Sequence, residues 1–513
     1  MKTVRSLGAS LLGASAELVT VEARFDALDR ERTEIVLTGL PDNVLRESKG
    51  RLECALTETG LSLPQGRLFI NLVPAARRKS GEILDLPVAL AAAAAAGHFE
   101  AKALKNTIFL GELGIDGRLH AVAGGLAAAM AARDRGVKRL FAPPATAAEA
   151  AAVESLEVFG ARNLGEVVGH ILGVGPPLQR LTVPDALDTV VESGPSLDDV
   201  RGLGDAKLAL AVAAAGAHGM LFIGPPGAGK TMLARRLVRL LPAPLFEERL
   251  DITRVLSAAG RWPGGLARER PFRAPHHTTS YAGLVGGGSH VSPGEISLAH
   301  GGVLFLDELP EFRREVLEAL RQPLESGVIT ISRAARRVEL PARFQLVAAM
   351  NPCPCGYRGH PRVPCTCAPT FVTRYRQRIS GPLLDRIDLV VEVTPPTLDE
   401  LAPDTDAVRE SVSKTSFAEH RLRSQVVRAR SRAIERGQAG PNFALDAKTL
   451  DLVAPLDAPG RTLLQAAVKK RGLSARAIQS LRRVARTCAD LEDEALVRPQ
   501  HLAQALALRA PLA

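Results

Sequence analysis

A glycine-rich turn between a short apolar run and a helix-like segment constrains this chain more than any other feature. The stretch reads MLFIGPPGAGKTMLARRL and begins at Met220. It predicts a buried strand, a turn whose backbone N–H groups close around phosphate oxygens, and a helix whose N-terminus faces those oxygens. Lys230 would reach the β- and γ-phosphates, and Thr231 would hold Mg²⁺. The predicted nucleotide-binding residues are Gly224, Pro225, Pro226, Gly227, Ala228, Gly229, Lys230, Thr231 and Met232.

In a second segment, GGVLFLDELPEF, two acidic residues directly follow the apolar run VLFL. Asp307 and Glu308 follow a predicted buried strand, and parallel sheets of this kind bind ligands at the carboxyl ends of their strands. We predict that Asp307 binds Mg²⁺ and that Glu308 polarises the attacking water. The alternative is that two solvated acids only begin the next helix. The phosphate loop earlier in the chain favours ATP hydrolysis over that alternative.

Chain length and net charge limit the number of domains and the classes of partner that can be expected. A chain of 513 residues is expected to form two to four domains. The net charge of +10 and pI near 9.6 favour a polyanionic partner, nucleic acid ahead of a membrane surface. The longest apolar run, residues 88–97, is shorter than the roughly 20 residues that cross a bilayer. We therefore predict a cytoplasmic protein without a membrane partner.

The chain divides into five segments by composition and periodicity. Residues 1–172 alternate strand-like and alanine-rich helical runs, which predicts an α/β domain. Residues 173–196 form a Pro/Gly-punctuated linker, and residues 197–396 a second α/β unit that carries all the strong motifs. A basic helical connector follows at 397–441, and an all-helical module ends the chain at 442–513. The predicted fold class is α/β, with a phosphate-loop ATPase core followed by the all-helical module.

Four of the six cysteines lie in the stretch NPCPCGYRGHPRVPCTC, within a short insertion at 352–369. They are Cys353, Cys355, Cys365 and Cys367. Four thiolates match tetrahedral Zn²⁺ in number and softness, and zinc is our prediction. Two alternatives stay open, because C-x-C is tighter than the usual C-x-x-C spacing: reduced free thiols on a proline-stiffened loop, or a redox switch. Cys54 and Cys488 lie in apolar helical patterns and are predicted to be core residues.

Two further segments have defined patterns. The stretch VITISRAARRVELPARF alternates with period two on either side of Ala334–Ala335, which predicts a β-hairpin. The loop sequence APHHTTS holds His276 and His277, which either touch substrate or form local hydrogen bonds, the second reading being favoured.

Taken in order, the motifs resemble the YifB/ComM family, magnesium-chelatase-like bacterial AAA+ proteins. The segments that carry the resemblance are DDVRGLGDAKLALAVAAAGAHGMLFIGPPGAGKTMLARRL, FRAPHHTTSYAGLVGGG, PGEISLAHGGVLFLDELPEF, LRQPLESGVITISRA, NPCPCG, SGPLLDRIDL and LSARAIQSLRRVARTCADL, and they span nearly the whole chain. One departure is Leu203, where relatives usually have Gln, which leaves a nearby adenine or interdomain contact in question.

The resemblance implies roles for residues outside the phosphate loop. Asn351 matches the sensor-1 polar residue that orients the water, Arg386 the arginine finger, and Arg476 the sensor-2 arginine on the helical lid. An arginine finger supplied by a neighbouring subunit contributes about 10³–10⁵ in rate. The hairpin corresponds to one whose tip enters the ring pore. The residues then expected to contact DNA are Arg333, Arg336, Arg337, Arg374 and Arg376.

The function that the resemblance implies is an ATP-driven helicase. Such a homo-hexamer would bind single- and double-stranded DNA and move branch points in recombination intermediates, with a recombinase as a candidate partner, and so assist incorporation of transforming DNA. Two alternatives are the motor subunit of a magnesium-chelatase-type complex and a MoxR-like remodelling chaperone. A non-catalytic scaffold is disfavoured because the ATPase motifs are intact. The implied cofactors are ATP and Mg²⁺, with Zn²⁺ at the cysteines.

The N-terminal segment resembles the Lon-protease fold through FLGELGIDGRLHAVAGGLAAAMAA and NLVPAARRKSGEILDLPVALA. A Ser–Lys protease needs a hydroxyl activated by a nearby amine. Ala127 stands where the family pattern has lysine, and the GEILD segment has no serine at the matching place, Ser80 preceding it. We therefore predict a protease-like fold without protease activity, acting as a DNA-binding or ring-organising module.

Overall fold

The computed structural model describes residues 3–27, 33–39, 42–74, 82–182, 194–288, 291–333, 336–360, 362–396 and 418–510. The chain is a mixed α/β protein with two sheets and a C-terminal group of helices, which confirms the predicted fold class. Within those ranges, no helix has the length and apolar character needed to cross a membrane.

The N-terminal domain is built on an eight-stranded mixed sheet of order β10-β9-β8-β5-β1-β2-β4-β3. Its strands are β1 (Val4–Leu12), β2 (Ser15–Ala27), β3 (Glu34–Thr38), β4 (Gly66–Val73), β5 (Thr107–Phe109), β8 (Arg139–Ala142), β9 (Glu157–Gly160) and β10 (Arg180–Leu181), and β6 (Glu112–Leu113) pairs with β7 (Leu119–His120) beside it. Its helices are α1 (Asp42–Glu58), α2 (Asp85–Ala95), α3 (Gly125–Asp134), α4 (Pro144–Ala150) and α5 (Leu164–Leu172). Strand β10 lies inside the predicted linker, because residues 180–181 pair with the edge strand β9.

The alanine-rich run of the first domain forms α2, as its composition predicts. Residues 85–94 of this helix are all buried, and the helix packs on β1 and β2. Apart from Asp85, which pairs with Arg51, the helix is apolar on every side, and such a helix belongs in the interior.

The second sheet is parallel and buried on both faces, with the order β12-β15-β18-β11-β19. The strands are β11 (Met220–Ile223), β12 (Phe272–Arg273), β15 (Val303–Leu306), β18 (Gln345–Met350) and β19 (Leu389–Glu392). The helices are α6 (Gly204–Gly216), α7 (Lys230–Leu240), α8 (Phe246–Ala258), α9 (Tyr281–Val285), α10 (Glu295–Leu298), α11 (Arg314–Ala319), α12 (Arg321–Ser326), α13 (Pro369–Arg376) and α14 (Gly381–Leu384). Because β11, β15 and β18 are neighbours and parallel, the residues that follow them meet at one edge.

Two small ribbons stand beside this sheet. Strands β13 (Gly286–Gly287) and β14 (Ser292–Pro293) pair with each other, as do β16 (Val328–Arg333) and β17 (Arg336–Pro341). The second pair confirms the predicted hairpin, although its turn at 334–335 lies outside the described residues.

The C-terminal region is helical, as predicted. Its helices are α15 (Glu419–Glu435), α16 (Ala447–Val453), α17 (Ala458–Arg471), α18 (Ala475–Leu491) and α19 (Pro499–Ala507). Helices α15 and α18 both pack on α6, so their apolar side chains join the core of the parallel sheet.

A buried polar network fastens α18 to the parallel-sheet core. His218 Nδ1 lies 2.9 Å from Asp388 Oδ2, and its Nε2 lies 2.8 Å from the hydroxyl oxygen of Thr487. The Ser480 hydroxyl donates to the other Asp388 oxygen at 2.5 Å. Burial alone would raise the pKa of the Asp388 carboxyl, but the hydrogen bond and charge of His218 outweigh it and lower that pKa. The carboxylate is therefore held ionised between the parallel-sheet core and α18.

The N-terminal domain packs on the root of the β16–β17 hairpin. At Gly13, in the β1–β2 turn, an added Cβ would lie 2.7 Å from Val338 Cγ1 and from Leu340 Cδ2. Nearby, the Ser257 hydroxyl of α8 donates to Glu149 Oε2 at 2.7 Å. The two domains therefore share both an apolar and a polar contact.

One cysteine prediction is confirmed and the other is wrong. Cys488 is buried, whereas Cys54 is exposed. Helix α1 buries Leu52, Ala55 and Leu56 on one stripe, and the thiol of Cys54 falls outside it.

Candidate functional site

The phosphate loop joins β11 to α7 and depends on three glycines. Gly227 and Gly229 have φ values of 78° and 88°, a left-handed conformation that side chains with a Cβ disfavour. At Gly224, a Cβ would lie only 2.2 Å from the carbonyl oxygen of Val393. The G-x-x-x-x-G spacing is thus required by backbone conformation at one end and by close packing at the other.

Lys230 lies at the start of α7 with its amine pointing back into the loop. Its Nζ donates to the carbonyl oxygens of Gly224 (2.7 Å) and Pro225 (2.9 Å), and to Oδ1 of Asn351 (3.2 Å). Burial lowers the pKa of this amine, while the charges of Asp307 and Glu308 act in the opposite direction. The structure therefore brings Lys230 and Asn351 together, although 120 residues separate them in sequence.

The two predicted Mg²⁺ ligands are in direct contact. The Thr231 hydroxyl donates to Asp307 Oδ2 at 2.6 Å. A hydroxyl and a carboxylate beside a phosphate loop are oxygen ligands of the kind that Mg²⁺ prefers together with substrate phosphates. The donor set therefore fits an ATP-bound Mg²⁺ ion.

Glu308 adopts an unusual backbone conformation and has a partner that the motif did not indicate. Its φ is 51°, and its amide donates to Asp307 Oδ1 at 2.9 Å. Its Oε2 lies 3.2 Å from Nδ1 of His277, on the loop that follows β12. By contrast, His276 Nδ1 lies 2.9 Å from the hydroxyl of Thr278, a local hydrogen bond. The favoured reading of two locally bonded histidines therefore holds for His276 and fails for His277.

No sequence signal identified the His277 contact in advance. The one available hint is topological, since the loop after a strand next to β15 passes the residues that follow β15.

A second cluster joins the two predicted catalytic arginines outside the phosphate loop. Arg386 forms an ion pair with Glu325 and donates to the Pro382 carbonyl at 2.5 Å. Arg476, at the start of α18, donates to Oε1 of the same Glu325 through Nη1 (3.1 Å) and Nη2 (3.2 Å). One carboxylate thus holds both guanidinium groups.

This arginine cluster lies at the opposite edge of the parallel sheet from the phosphate loop. The amides of Asp388 and Leu389 both donate to the Gly219 carbonyl (3.0 Å), so β19 starts where β11 starts. Arg386 precedes that point, whereas the phosphate loop follows the last residue of β11. Four strand residues separate the two edges by roughly 13 Å. Arg386 and Arg476, which share Glu325, therefore lie toward the amino-terminal ends of the strands, whereas the phosphate loop lies at their carboxyl ends.

The four insertion cysteines converge. All their sulfur atoms lie within 4.8 Å of one another. The Sγ–Sγ distances are 3.3 Å for Cys353–Cys355 and 3.6 Å for both Cys353–Cys365 and Cys355–Cys365, and the amide of Cys355 donates to Sγ of Cys367 at 3.4 Å. Zn–S bonds of about 2.3 Å in a regular tetrahedron put the sulfurs about 3.8 Å apart. The geometry therefore fits a four-thiolate metal site.

Backbone amides assist this site. Hydrogen bonds from the amides of Tyr357 and Thr366 lower the pKa of the Cys355 thiol to about 6. Amides that point at a sulfur stabilise its thiolate form, the form that binds metal.

The cysteine insertion packs against the phosphate site. At Gly356, an added Cβ would lie 2.7 Å from Cδ of Pro226 in the phosphate loop. Arg376 of α13 donates to the Pro352 carbonyl at 3.3 Å, and Tyr375 is buried next to the Asn351 backbone, where burial raises its pKa to about 12. The insertion is therefore wedged between the phosphate loop and the end of the sensor-1 strand.

The five arginines predicted to contact DNA differ in their exposure, and the structure describes the side chains of three of them. Arg337 is exposed near the hairpin tip and pairs with Glu339 at 3.2 Å. Arg374 is exposed on α13, whereas its neighbour Arg376 is half-buried and directed inward. The side chains of Arg333 and Arg336 lie outside the described set, so their expected role stays a prediction.

Two departures from family patterns can also be located. Leu203 precedes the first residue of α6 and has a φ of 56°, and a Cβ on Gly229 would lie 3.6 Å from its Cδ1, so it packs beside the phosphate loop. Ala127 is buried in α3. Ser80 lies outside the described residues, so the absence of protease activity stays a prediction.

Comparisons with known proteins cover nearly the whole chain. Residues 196–401 match the family described as "Magnesium chelatase, subunit ChlI", residues 25–146 match "Subunit ChlI of Mg-chelatase", and residues 418–509 match "Magnesium chelatase, subunit ChlI C-terminal". The matches follow the order of the N-terminal domain, the parallel-sheet core and the C-terminal helices.

Curated relatives of similar length also match. Competence protein ComM of Haemophilus influenzae is 40% identical over 510 residues, which cover 97% of this chain and 96% of that protein. YifB of Escherichia coli, described as uncharacterized, is 38% identical over 507 residues, with 97% and 95% covered. The magnesium-chelatase 38 kDa subunit of Acidiphilium rubrum is 26% identical over 310 residues, which cover 55% of this chain and 80% of that subunit.

Proposed function

This chain belongs to the YifB/ComM family of magnesium-chelatase-like AAA+ proteins, and we propose on that basis that it is an ATP-driven, ring-forming DNA helicase. It would move branch points in recombination intermediates in the cytoplasm. The relative that is 40% identical is named a competence protein, and we propose a role in natural transformation for this chain as well.

The observation that carries the ATPase part of this proposal is the assembled phosphate site. Lys230 lies 3.2 Å from Asn351, and the Thr231 hydroxyl lies 2.6 Å from Asp307. Lys230 would neutralise the β- and γ-phosphates, while Thr231 and Asp307 would hold Mg²⁺. Glu308 would orient and polarise the water, and Asn351 would help to place it.

The arginine cluster supports assembly into a ring. Arg386 and Arg476 share Glu325 at the end of the strands away from their own phosphate loop, and we infer that they serve a neighbouring subunit. A head-to-tail interface of this kind closes into a ring when the rotation between subunits permits. We propose a homo-hexamer in which each ATP site is completed by two arginines of the next subunit.

Charge and the arginine-bearing hairpin support DNA as the substrate. The chain carries a net charge of +10, and three arginines flank the hairpin turn. Lysine and arginine contacts to phosphates provide most of the affinity for DNA without reading its sequence. A helicase that moves along single and double strands needs such sequence-independent contacts, and we propose that the hairpin tip supplies them.

A chelatase motor is the second candidate because the matched family models carry that name. The chelatase subunit of Acidiphilium rubrum covers only 55% of this chain, whereas the competence protein covers 97%. An ATP turnover rate that does not change with DNA but rises with a porphyrin-binding partner would favour the chelatase function. An ATP turnover rate that rises when an unfolded or assembled protein is added would favour a MoxR-like chaperone.

The DNA proposal is tested by ATP turnover and branch movement on synthetic three-stranded DNA. We expect DNA to raise the ATPase rate and ATP to drive displacement of the labelled strand. Replacing Arg333, Arg336 and Arg337 together with Ala should weaken DNA binding, and each lost phosphate contact should reduce the log–log salt slope by about 0.9 for duplex DNA. Substituting Arg461, exposed on α17, is the matched charge control. A wild-type ATPase rate that does not change when DNA is added, together with DNA affinity that does not depend on salt, would contradict the proposal.

We further propose that the four insertion cysteines hold one structural Zn²⁺. The segment has few large apolar side chains, so burial cannot offset its ordering cost of roughly 1–2 kcal/mol per residue. Structural zinc contributes about 10–16 kcal/mol in small sites, which is enough to order the loop.

Metal removal should therefore loosen the phosphate site through Gly356 and Pro226. We expect Cys353→Ser or Cys365→Ser to lose zinc, to remain a ring that binds ATP, and to lose DNA-stimulated hydrolysis. Cys488→Ser, at a buried cysteine in α18, is the control and should keep its metal. Elemental analysis and thiol titration provide readouts independent of activity. Less than about a tenth of an equivalent of zinc, with four titratable thiols, would contradict a structural metal site.

A further inference from the structure

Glu325 has contacts that no part of the ATPase motif requires. Its Oε1 accepts hydrogen bonds from both Nη atoms of Arg476 (3.1 and 3.2 Å) and forms the ion pair with Arg386. Within the described residues, the other hydrogen bond of the Arg386 guanidinium goes to the Pro382 carbonyl. Three of the four terminal nitrogens that a phosphate would need therefore donate to the Glu325 carboxylate, and the fourth, Nη1 of Arg386, donates to the Pro382 carbonyl.

The helix that bears Glu325 is firmly tied to the hairpin. Glu325 lies in the last turn of α12, and β16 starts three residues later at Val328. The Gln322 side chain donates to the Thr330 hydroxyl at 3.0 Å, which crosses from α12 to β16. The Ser326 hydroxyl oxygen lies 3.0 Å from the Gln322 carbonyl oxygen and 3.1 Å from the Val328 carbonyl oxygen, so its single proton bridges the end of α12 and the start of β16 at this bend.

The far strand of the hairpin is held in the same way. The amide of Ala342, directly after β17, donates to the Gly327 carbonyl at 2.9 Å. Helix α12 and the hairpin root therefore form one hydrogen-bonded unit, and displacement of the hairpin must displace Glu325.

We propose that Glu325 is a positioning residue that restrains Arg386 and Arg476 and releases them when the hairpin moves on DNA. The inference rests on the proposed function, since it takes the hairpin as the DNA contact and the two arginines as the groups that complete a neighbour's ATP site. Two guanidinium groups and one carboxylate leave a net charge of +1 in the cluster. A γ-phosphate on the adjacent subunit competes with Glu325 for the same N–H donors, so any shift of α12 changes which acceptor they take.

The consequence is a link between DNA contact and hydrolysis that runs through named contacts. DNA moves the hairpin, the Gln322–Thr330 bond carries the movement to α12, and Glu325 withdraws from the arginines. Without DNA, the same contacts keep the turnover rate low.

Removing the charge at Glu325 tests this restraint directly. We expect Glu325→Gln to raise ATP turnover without DNA by about threefold to tenfold. The loss of two partly exposed ion pairs can account for a population shift of about this size. The ratio of DNA-stimulated to unstimulated turnover should fall correspondingly. Glu325→Asp keeps the charge but shortens the side chain by one methylene, so it should give an intermediate rise and decides the matter if the Gln variant does not fold.

Two further variants separate restraint from general damage. Glu315→Gln removes an exposed carboxylate on the preceding helix α11 and should behave as wild type. Gln322→Leu removes the side-chain bond to Thr330, so it should leave unstimulated turnover at the wild-type rate and lower the DNA-stimulated rate.

The outcomes also distinguish this inference from the proposed function. If Glu325→Gln leaves the unstimulated rate unchanged, or lowers both rates by one factor, Glu325 does not restrain the arginines and the inference is wrong. That measurement needs no DNA. A wild-type protein that does not respond to DNA contradicts the helicase proposal instead, whatever the Glu325 variants do.

Discussion

Lys230→Ala is expected to abolish ATP binding, whereas Glu308→Gln is expected to bind ATP and scarcely hydrolyse it. The amine of Lys230 is held among loop carbonyls and Asn351, at the place where the β- and γ-phosphates would lie. Its loss removes charge-assisted bonds to the phosphates. Glu308 lies after β15 instead, so its substitution should leave the phosphate loop intact and remove the group that we propose polarises water.

The two substitutions are expected to change different quantities: Lys230→Ala the affinity for ATP, and Glu308→Gln the rate of hydrolysis. General-base catalysis contributes about 10²–10⁴-fold, and we expect the turnover of Glu308→Gln to fall by that order at unchanged ATP affinity. Fluorescent-nucleotide titration and steady-state ATPase assays measure the two quantities separately. Glu311→Gln, on the turn that follows, is the matched control. Equal ATP affinity in wild type and Lys230→Ala would remove the phosphate-loop assignment.

Mixing inactive variants should restore ATPase activity in a pattern that identifies which subunit supplies each arginine. Arg386→Ala alone should lose about 10³–10⁵ in rate. When the two variants are mixed, the Arg386→Ala subunit contributes an intact phosphate loop. A neighbouring Lys230→Ala subunit contributes the intact Arg386 that completes the site. In randomly mixed rings, about a quarter of the interfaces have that composition, so roughly a quarter of the wild-type rate should return.

The position of Arg476 makes a second mixture informative. Because Glu325 holds it beside Arg386, remote from its own phosphate loop, Arg476→Ala mixed with Lys230→Ala should also recover activity. Arg386→Ala mixed with Arg476→Ala should not, since every interface then lacks one arginine. Recovery in that last mixture would show that Arg476 serves its own subunit. A failure of Arg386→Ala to recover with Lys230→Ala at any ratio would contradict a shared site.

Several parts of the fold follow from local sequence alone. The alternation around residues 334–335 predicts the hairpin, and β16 and β17 confirm it. The alanine-rich runs form α2 and α6, because small apolar side chains make a helix suited to burial against a sheet. Cys54 shows the limit of such reasoning, since an apolar helical pattern indicates a helix without fixing which residues near its edge are covered.

The candidate site also has parts that could be predicted from local sequence and parts that could not. The phosphate loop could be predicted because its function depends on neighbouring backbone groups, and glycines at fixed spacing are the residues that permit them. His277 could not, because its contact with Glu308 depends on how a loop after β12 passes the end of β15. Histidine makes equally good local bonds, as His276 does, so its identity alone does not select a partner.

The sequence by itself therefore determined the chemistry that is contained within short segments: the nucleotide loop, the acidic pair, the hairpin and the four thiols. Only the tertiary structure decided which of these segments meet. It placed Gly356 of the cysteine insertion against Pro226, and it joined Arg386 and Arg476 through Glu325, which lies 61 and 151 residues from them in sequence. The physical reason is that a segment's own composition sets its conformation and donor groups. The partner of a side chain, by contrast, depends on strand order and helix packing, to which distant residues contribute cooperatively.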